Sequence, residues 1–144
     1  MTDADLLRRA VHEAGHVVLH RLYHHEILAT SLNDGGDFGG AIWTRCCGDS
    51  VDGLRGQIVC LLGGGIAERR VFPNSRGDDD DRQRAAGIAR RLAGELATRG
   101  KINRELGRGR TAAEKLVDDH WPKIRELAGR LINLHTYVEG IGAA

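Results

Sequence analysis

Two histidines and a glutamate define the chemistry this chain is able to perform. His12, Glu13 and His16 form an H-E-x-x-H pattern within Ala10-Val11-His12-Glu13-Ala14-Gly15-His16-Val17-Val18. On a helix, side chains four residues apart stand one above the other on one face. Both imidazoles can then reach a single ion at about 2.0–2.1 Å. Glu13 projects about 100° round the helix, beside the ion and not onto it, where its carboxylate can take a proton from a water that the ion activates. Catalytic zinc uses three protein ligands and one water, so a third ligand must come from elsewhere in the chain. Leu6, Leu7, Ala10, Val11, Ala14, Val17, Val18 and Leu22 would bury one face of the helix. Buried imidazoles without partners are costly, and a metal supplies the partner. Gly15 costs about 1 kcal/mol relative to Ala inside a helix, which close approach of another segment would explain. His20 and His24 continue the four-residue series but lie too far along the axis to share the ion. They read as surface groups or as supports behind the ligands. A metzincin-type third histidine would stand at position 22, where the chain has Leu22.

The third ligand is expected in the acidic run Asp78-Asp79-Asp80-Asp81, which opens a helix. Acidic residues at a helix N-terminus have an ordinary role, since they complement the helix dipole. Helical spacing separates the four, however. Asp81 precedes Ala85, Ile88 and Leu92 by four, seven and eleven residues, on the face expected to be buried. A carboxylate aimed into a core needs a cation. Asp78 shares that line loosely but sits where a cap would. Glu68, on the preceding helix, is the rival ligand.

The elements that must carry these groups follow from periodicity and breakers. Thr2 or Asp3 caps a first helix that runs to about Tyr23, with Asp5 completing a capping box. Residues 27–33 and 39–45 read as short strands around Asp34-Gly35-Gly36-Asp37, a hairpin. Asp49-Ser50 precede a second helix over 51–71, with Leu54, Ile58, Leu61, Leu62 and Ile66 inward. Gly63-Gly64-Gly65 lacks the Lys-Ser/Thr of a phosphate loop and is expected to let two helices approach closely. The third helix is expected to reach about Thr98 and to end at Arg99-Gly100. A Gly-rich connection containing Gly107 and Gly109 then leads to a last helical region, 111–137, that Pro122 kinks or restarts.

Composition bounds the partners. The chain has 144 residues, 41% of them apolar and 28% charged, as expected of one globular domain spanning 1–144. A net charge of +1 and 4% aromatic residues give no footprint for nucleic acid or an anionic membrane. The longest nearly apolar run, 58–67, is far short of the ~20 residues of a membrane helix. The odd number of cysteines, with Cys46 and Cys47 adjacent, argues against a disulfide framework. With no secretory signal at the start, a cytoplasmic location is expected. Cys60 reads as a small buried apolar residue.

Several of these segments together resemble the protease domain of the FtsH family of zinc metalloproteases. Arg8-Arg9-Ala10-Val11-His12-Glu13-Ala14-Gly15-His16 is similar to its zinc helix, and Phe38-Gly39-Gly40-Ala41 to the small strand that follows. Gln57 to Glu68 resembles the family's LLGGRxAEE helix. Gly77 to Ala85, then Ala89-Arg90-Arg91, is similar to its TGAxNDxxRAT…AR segment. The similarity covers about residues 6–95. It implies a mainly α fold with a small hairpin behind the zinc helix, and it puts Asp81 on the third zinc ligand. Gly65 stands where the family has Arg, and Arg69 where it has a second Glu. The family's membrane segments and ATPase module have no counterpart in this sequence.

The expected function is therefore that of a zinc metalloendopeptidase, with Zn²⁺ held by His12, His16 and Asp81 and Glu13 as general base. Its substrates would be peptides or unfolded chains, cleaved without ATP unless an ATPase acts in trans; self-association into a homo-oligomer stays open. The alternative from another class is a zinc-stabilised binding or scaffold domain, and a purely structural site has no need of Glu13.

Overall fold

The computed structural model describes residues 2–32, 41–45 and 48–142. In chain order the elements are α1 (Asp3–Leu22), β1 (Glu26–Ser31), β2 (Ala41–Arg45), α2 (Val51–Val71), α3 (Asp79–Ala93), α4 (Arg99–Asp119) and α5 (Trp121–Gly142). The fold is mainly α, with one small antiparallel hairpin after the histidine-bearing helix.

Helix α1 begins as its sequence dictates. The Asp5 amide donates to Thr2 Oγ1 at 3.1 Å while the Thr2 amide donates to the Asp5 carboxylate at 3.2 Å, a reciprocal capping box. Its end depends on His24, which adopts a φ of 59°. That left-handed conformation is uncommon outside glycine. It turns the chain so sharply that the His25 amide donates back to the His20 carbonyl at 2.9 Å. The strands then pair from Glu26↔Arg45 to Ser31↔Ala41, with an irregularity between Ile27 and Ala29. The expected hairpin turn Asp34-Gly35-Gly36-Asp37, the segment Phe38-Gly39-Gly40, and Cys46-Cys47 lie outside the described residues.

Helices α1 and α2 form the centre. Arg8 meets Glu68, Gly15 meets Gly63 and Ala67, and Tyr23 meets Gly56, so the two helices run antiparallel. A Cβ on Gly15 would lie 2.8 Å from Ala67 Cβ and 2.9 Å from the Gly63 carbonyl. Backbone therefore packs directly on backbone, the close approach expected of the small residues in both helices. Around this pair α3 packs through Ala85 and Ala89, α4 through Ala113 and Val117, and α5 through Ile124 and Ala128, all buried. Leu19, Ile58 and Cys60 are sealed at the middle. Leu7, expected inside, is 38% exposed.

The second half of the chain departs from expectation in three places. Helix α3 stops at Ala93 and not near Thr98, because Gly94 takes a φ of 78° and leaves the helix. Arg99-Gly100 opens a helix where it was expected to close one: the Lys101 amide donates to Thr98 Oγ1 at 3.2 Å, an N-cap. Gly107 and Gly109 lie inside α4 and not in a connection. A Cβ on Gly109 would overlap Ile58 and crowd Leu62, so this glycine permits contact between α4 and α2. Pro122 does restart the chain as a new helix, sitting in the first turn of α5 where its missing amide hydrogen is not needed.

Candidate metal centre

The antiparallel contact of α1 with α2, and the docking of the N-terminus of α3 against both, brings three ligand atoms to one point. His12 Nε2, His16 Nε2 and Asp81 Oδ2 lie 3.0 Å from one another on every edge of the triangle. His12 and His16 are buried, and the Asp81 side chain is 18% exposed. A tetrahedral ion with bonds of about 2.0–2.1 Å spaces its ligands by about 3.3–3.4 Å, so the triangle fits such an ion after adjustments of a few tenths of an ångström. The spacing reading of Asp81 as the residue that joins the two histidines agrees with this geometry.

The opposite side of each ring settles which nitrogen faces the triangle. His12 Nδ1 donates to Glu68 Oε2 at 2.6 Å, and His16 Nδ1 donates to the Cys60 carbonyl at 2.8 Å. With both Nδ1 atoms engaged as donors, both Nε2 lone pairs point at Asp81 Oδ2. With both rings neutral, three acceptors would face one another, so the triangle calls for a bound cation or, in its absence, a proton on a ring nitrogen. This is the outer support that orients histidine ligands in metal sites. Glu68, the rival ligand, thus touches the back of His12 and not the triangle. It is 1% exposed and is itself held by Arg8 Nη1 at 3.0 Å and by the Ser75 hydroxyl.

Titration follows the same contacts. Burial pulls His12 down, but its bonds to Asp81 and Glu68 and the charge of Glu13 outweigh this. In the metal-free protein His12 is raised to about 10. Burial pushes Asp81 up, and the bonds from His12 and His16 more than reverse it, holding Asp81 well below the usual carboxylate range. Burial likewise opposes ionisation of Glu68, and His12, Ser75 and Arg8 overcome it. A proton on His12 is what this anionic pocket acquires when no metal is there.

Glycine shapes the wall behind His16. A Cβ on Gly64 would overlap His16 Nε2 and lie 2.7 Å from Cδ2 and Cε1, so the ring rests on bare α2 backbone. Gly65 does the same for Asp78, whose Cβ and Cγ would be 2.7 Å from an added methyl. Asp78 occupies the N-cap position of α3 but makes no capping bond. Its buried carboxylate turns inward to Arg69 Nη1 at 2.7 Å. Gly65 and Arg69 thus form one local arrangement that pins the helix start carrying Asp81.

Beside the triangle is a cleft of about 500 Å³ lined by His16, His20, Asp81, Thr44, Leu61 and Ile88. Glu13 is buried one residue on from His12, within reach of its charge. His24 is exposed, as one expectation allowed. His20 is not a surface group. It is buried with Nδ1 2.8 Å from His25 Nδ1, and Cys60 Sγ is 3.9 Å from the same His25 atom. Burial, then the neighbouring His16 and His25, lowers His20 to about 3, and burial lowers His25 as well. Cys60 is buried in the apolar core as expected, and its thiol also faces His25. Neither Glu68 as the support of His12 nor His25 as the partner of His20 was found from sequence. Which side of a ring a carboxylate meets, and the left-handed turn at His24, carry no spacing signal.

Among the described residues, two buried groups could hold a metal ion: His12 with His16 and Asp81, and His20 with His25 and Cys60. No helix among the described residues is long and apolar enough to cross a membrane. No protein-family model and no curated protein matches this chain.

Proposed function

We propose that this protein is a zinc-dependent metalloendopeptidase of the cytoplasm, related to the FtsH protease domain, acting on peptides and unfolded chains. The observation that carries the reading is the 3.0 Å triangle of His12 Nε2, His16 Nε2 and Asp81 Oδ2, with both imidazoles fixed from behind. Two imidazoles and a carboxylate suit Zn²⁺, and three protein ligands are the complement that leaves a position open. Zinc bound there supplies a Lewis acid that acidifies water and polarises a carbonyl.

The chain's own residues supply the rest. Glu13 takes the proton of the attacking water and passes it to the leaving amine nitrogen. Glu68 and the Cys60 carbonyl keep His12 and His16 from rotating. Thr44 brings β2 to the wall of the cleft, and β2 pairs with β1 on one side only among the described residues. Its other edge is suited to pair with an extended peptide by strand addition. Leu61 and Ile88 give that peptide an apolar floor.

Cleavage of an unstructured peptide by zinc-loaded wild type and by Glu13→Gln tests the reading. The variant should keep its metal and lose about 10²–10⁴ in kcat. Equal cleavage by both would refute the role of Glu13. Absence of cleavage by either, with zinc bound, would replace the peptidase reading by that of a zinc-stabilised binding domain.

A further inference from the structure

On the far side of His16 from Glu13's neighbour His12, a second set of donor atoms converges. We propose that His20, His25 and Cys60 form a second metal site, which takes Zn²⁺ as a complex of two imidazoles and one thiolate. The site is built from three elements: the last turn of α1, the entry to β1, and the middle of α2. All three residues are buried, and their ligand atoms lie within 4.8 Å of one another. His20 Nδ1 and His25 Nδ1 are 2.8 Å apart, and Cys60 Sγ is 3.9 Å from His25 Nδ1. A tetrahedral zinc site with bonds of about 2.0–2.1 Å to nitrogen and 2.3 Å to sulfur needs separations of about 3.3–3.6 Å. The observed distances fall on either side of these, so small rotations of the side chains complete the site.

Two features argue that the arrangement is made for a ligand. His25 turns back onto His20 directly after His24, a non-glycine residue that holds a φ of 59°. Backbone held in such a conformation persists where the surroundings enforce it and concentrates at ligand sites. The two buried rings also meet Nδ1 to Nδ1, a pairing that directs at least one nitrogen lone pair into the cluster. Imidazole and thiolate together favour zinc over magnesium or calcium, which prefer oxygen. Binding needs no electron transfer. The Cys60 thiol gives its proton to solvent as sulfur bonds to the ion, and the ring that carries hydrogen on Nδ1 moves it to Nε2. His20 lines the cleft, which gives the ion an entry path and leaves its fourth position open to water. One residue joins the two sites, since Cys60 offers its sulfur here and its carbonyl to His16 at 2.8 Å.

Cobalt reports this site separately from the first, because only a thiolate ligand gives an intense sulfur-to-cobalt charge-transfer band in the near ultraviolet. The His12, His16 and Asp81 set contains no sulfur, so the band does not depend on the peptidase reading. Metal-stripped protein is titrated with Co²⁺ for the band, and with Zn²⁺ for stoichiometry. We expect the band in the wild type, in Asp81→Ala and in the double variant Cys46→Ser/Cys47→Ser. It should vanish in both Cys60→Ser and Cys60→Ala and weaken in His25→Ala. Zinc should fall from two ions per chain in the wild type to one in Cys60→Ala. A wild type that binds cobalt without the band overturns the proposal whatever the variants do, and so does a band that survives loss of Cys60 or disappears with Cys46 and Cys47. In those cases His20 and His25 are simply a hydrogen-bonded pair beside a buried thiol.

Discussion

Replacing Glu68 by Gln separates a residue that tunes the metal from one that binds it. Gln can still accept the hydrogen of His12 Nδ1, now 2.6 Å from Glu68 Oε2, but it no longer carries the charge that makes the ring a stronger donor. Loss of such a support lowers metal affinity about 10–100-fold. With free zinc at 100 times the wild-type Kd, binding stabilises the fold by about 2.7 kcal/mol. A thirtyfold weaker site under the same conditions contributes about 0.9 kcal/mol. For 144 residues, an unfolding entropy of about 2.1 cal/mol/K per residue gives about 0.3 kcal/mol/K. The metal-dependent part of Tm should therefore fall by about 6 °C. Each variant is melted with zinc and with chelator, so that changes in the metal-free fold from Arg8 and Ser75 losing their partner cancel. With the second site removed by Cys60→Ala in every variant, Asp81→Asn, which removes a ligand, should abolish the metal-dependent shift. An unaltered shift in Glu68→Gln, or a shift lost in Glu68→Gln and kept in Asp81→Asn, would refute the assignment of support and ligand.

Three further outcomes follow from the same geometry. In the Cys60→Ala background, zinc uptake at pH 7–8 should release about one proton per ion, measured calorimetrically in buffers of different ionisation heat, because metal displaces the proton of His12. His12 is raised, to about 10, so its contribution to the metal-free fold is complete below its unfolded value of about 6.5 and is lost as pH rises through 10. Zinc affinity should climb about tenfold per pH unit from 7 towards 10 and then level, and uptake without proton release would contradict this. Gly64→Ala should lower zinc affinity more than tenfold although Ala is the better helix former, since the new methyl overlaps the His16 ring; unchanged affinity by competition with a chromophoric chelator would show that the ring does not rest there. Digestion should be ATP-independent and confined to short or unfolded substrates, because folded stabilities of about 5–15 kcal/mol keep open states rare. Rapid digestion of a stable folded protein by this chain alone would count against that, whereas digestion that needs an added ATPase would identify a partner in trans.

The sequence disclosed the elements whose signals are local. The Thr2 and Ser50 caps and the apolar period of α2 mark helices that the structure bounds at Asp3–Leu22 and Val51–Val71. Asp81 was legible because its spacing to Ala85 and Ile88 reports burial. Glycine was read unevenly, for a physical reason. Gly15 and Gly63 sit within strong apolar patterns, so helix continued through them. Gly107 and Gly109 sit in a polar, charged stretch of low helix propensity, and the close approach of Gly109 to Ile58 and Leu62 is a tertiary contact that no local pattern signals. Groups joined by long-range packing were not legible. Glu68 and His12 are 56 positions apart, and nothing in either segment says which nitrogen the carboxylate meets. His25 depends on one backbone torsion at His24.

Anomalous diffraction at the zinc absorption edge from crystals of the zinc-loaded protein locates the ion itself. The peak should lie bonded to His12 Nε2, His16 Nε2 and a carboxylate oxygen of Asp81, with Glu68 remaining on His12 Nδ1. A peak bonded to Glu68 with Asp81 turned away, or no peak between the two histidines, would contradict that ligand set.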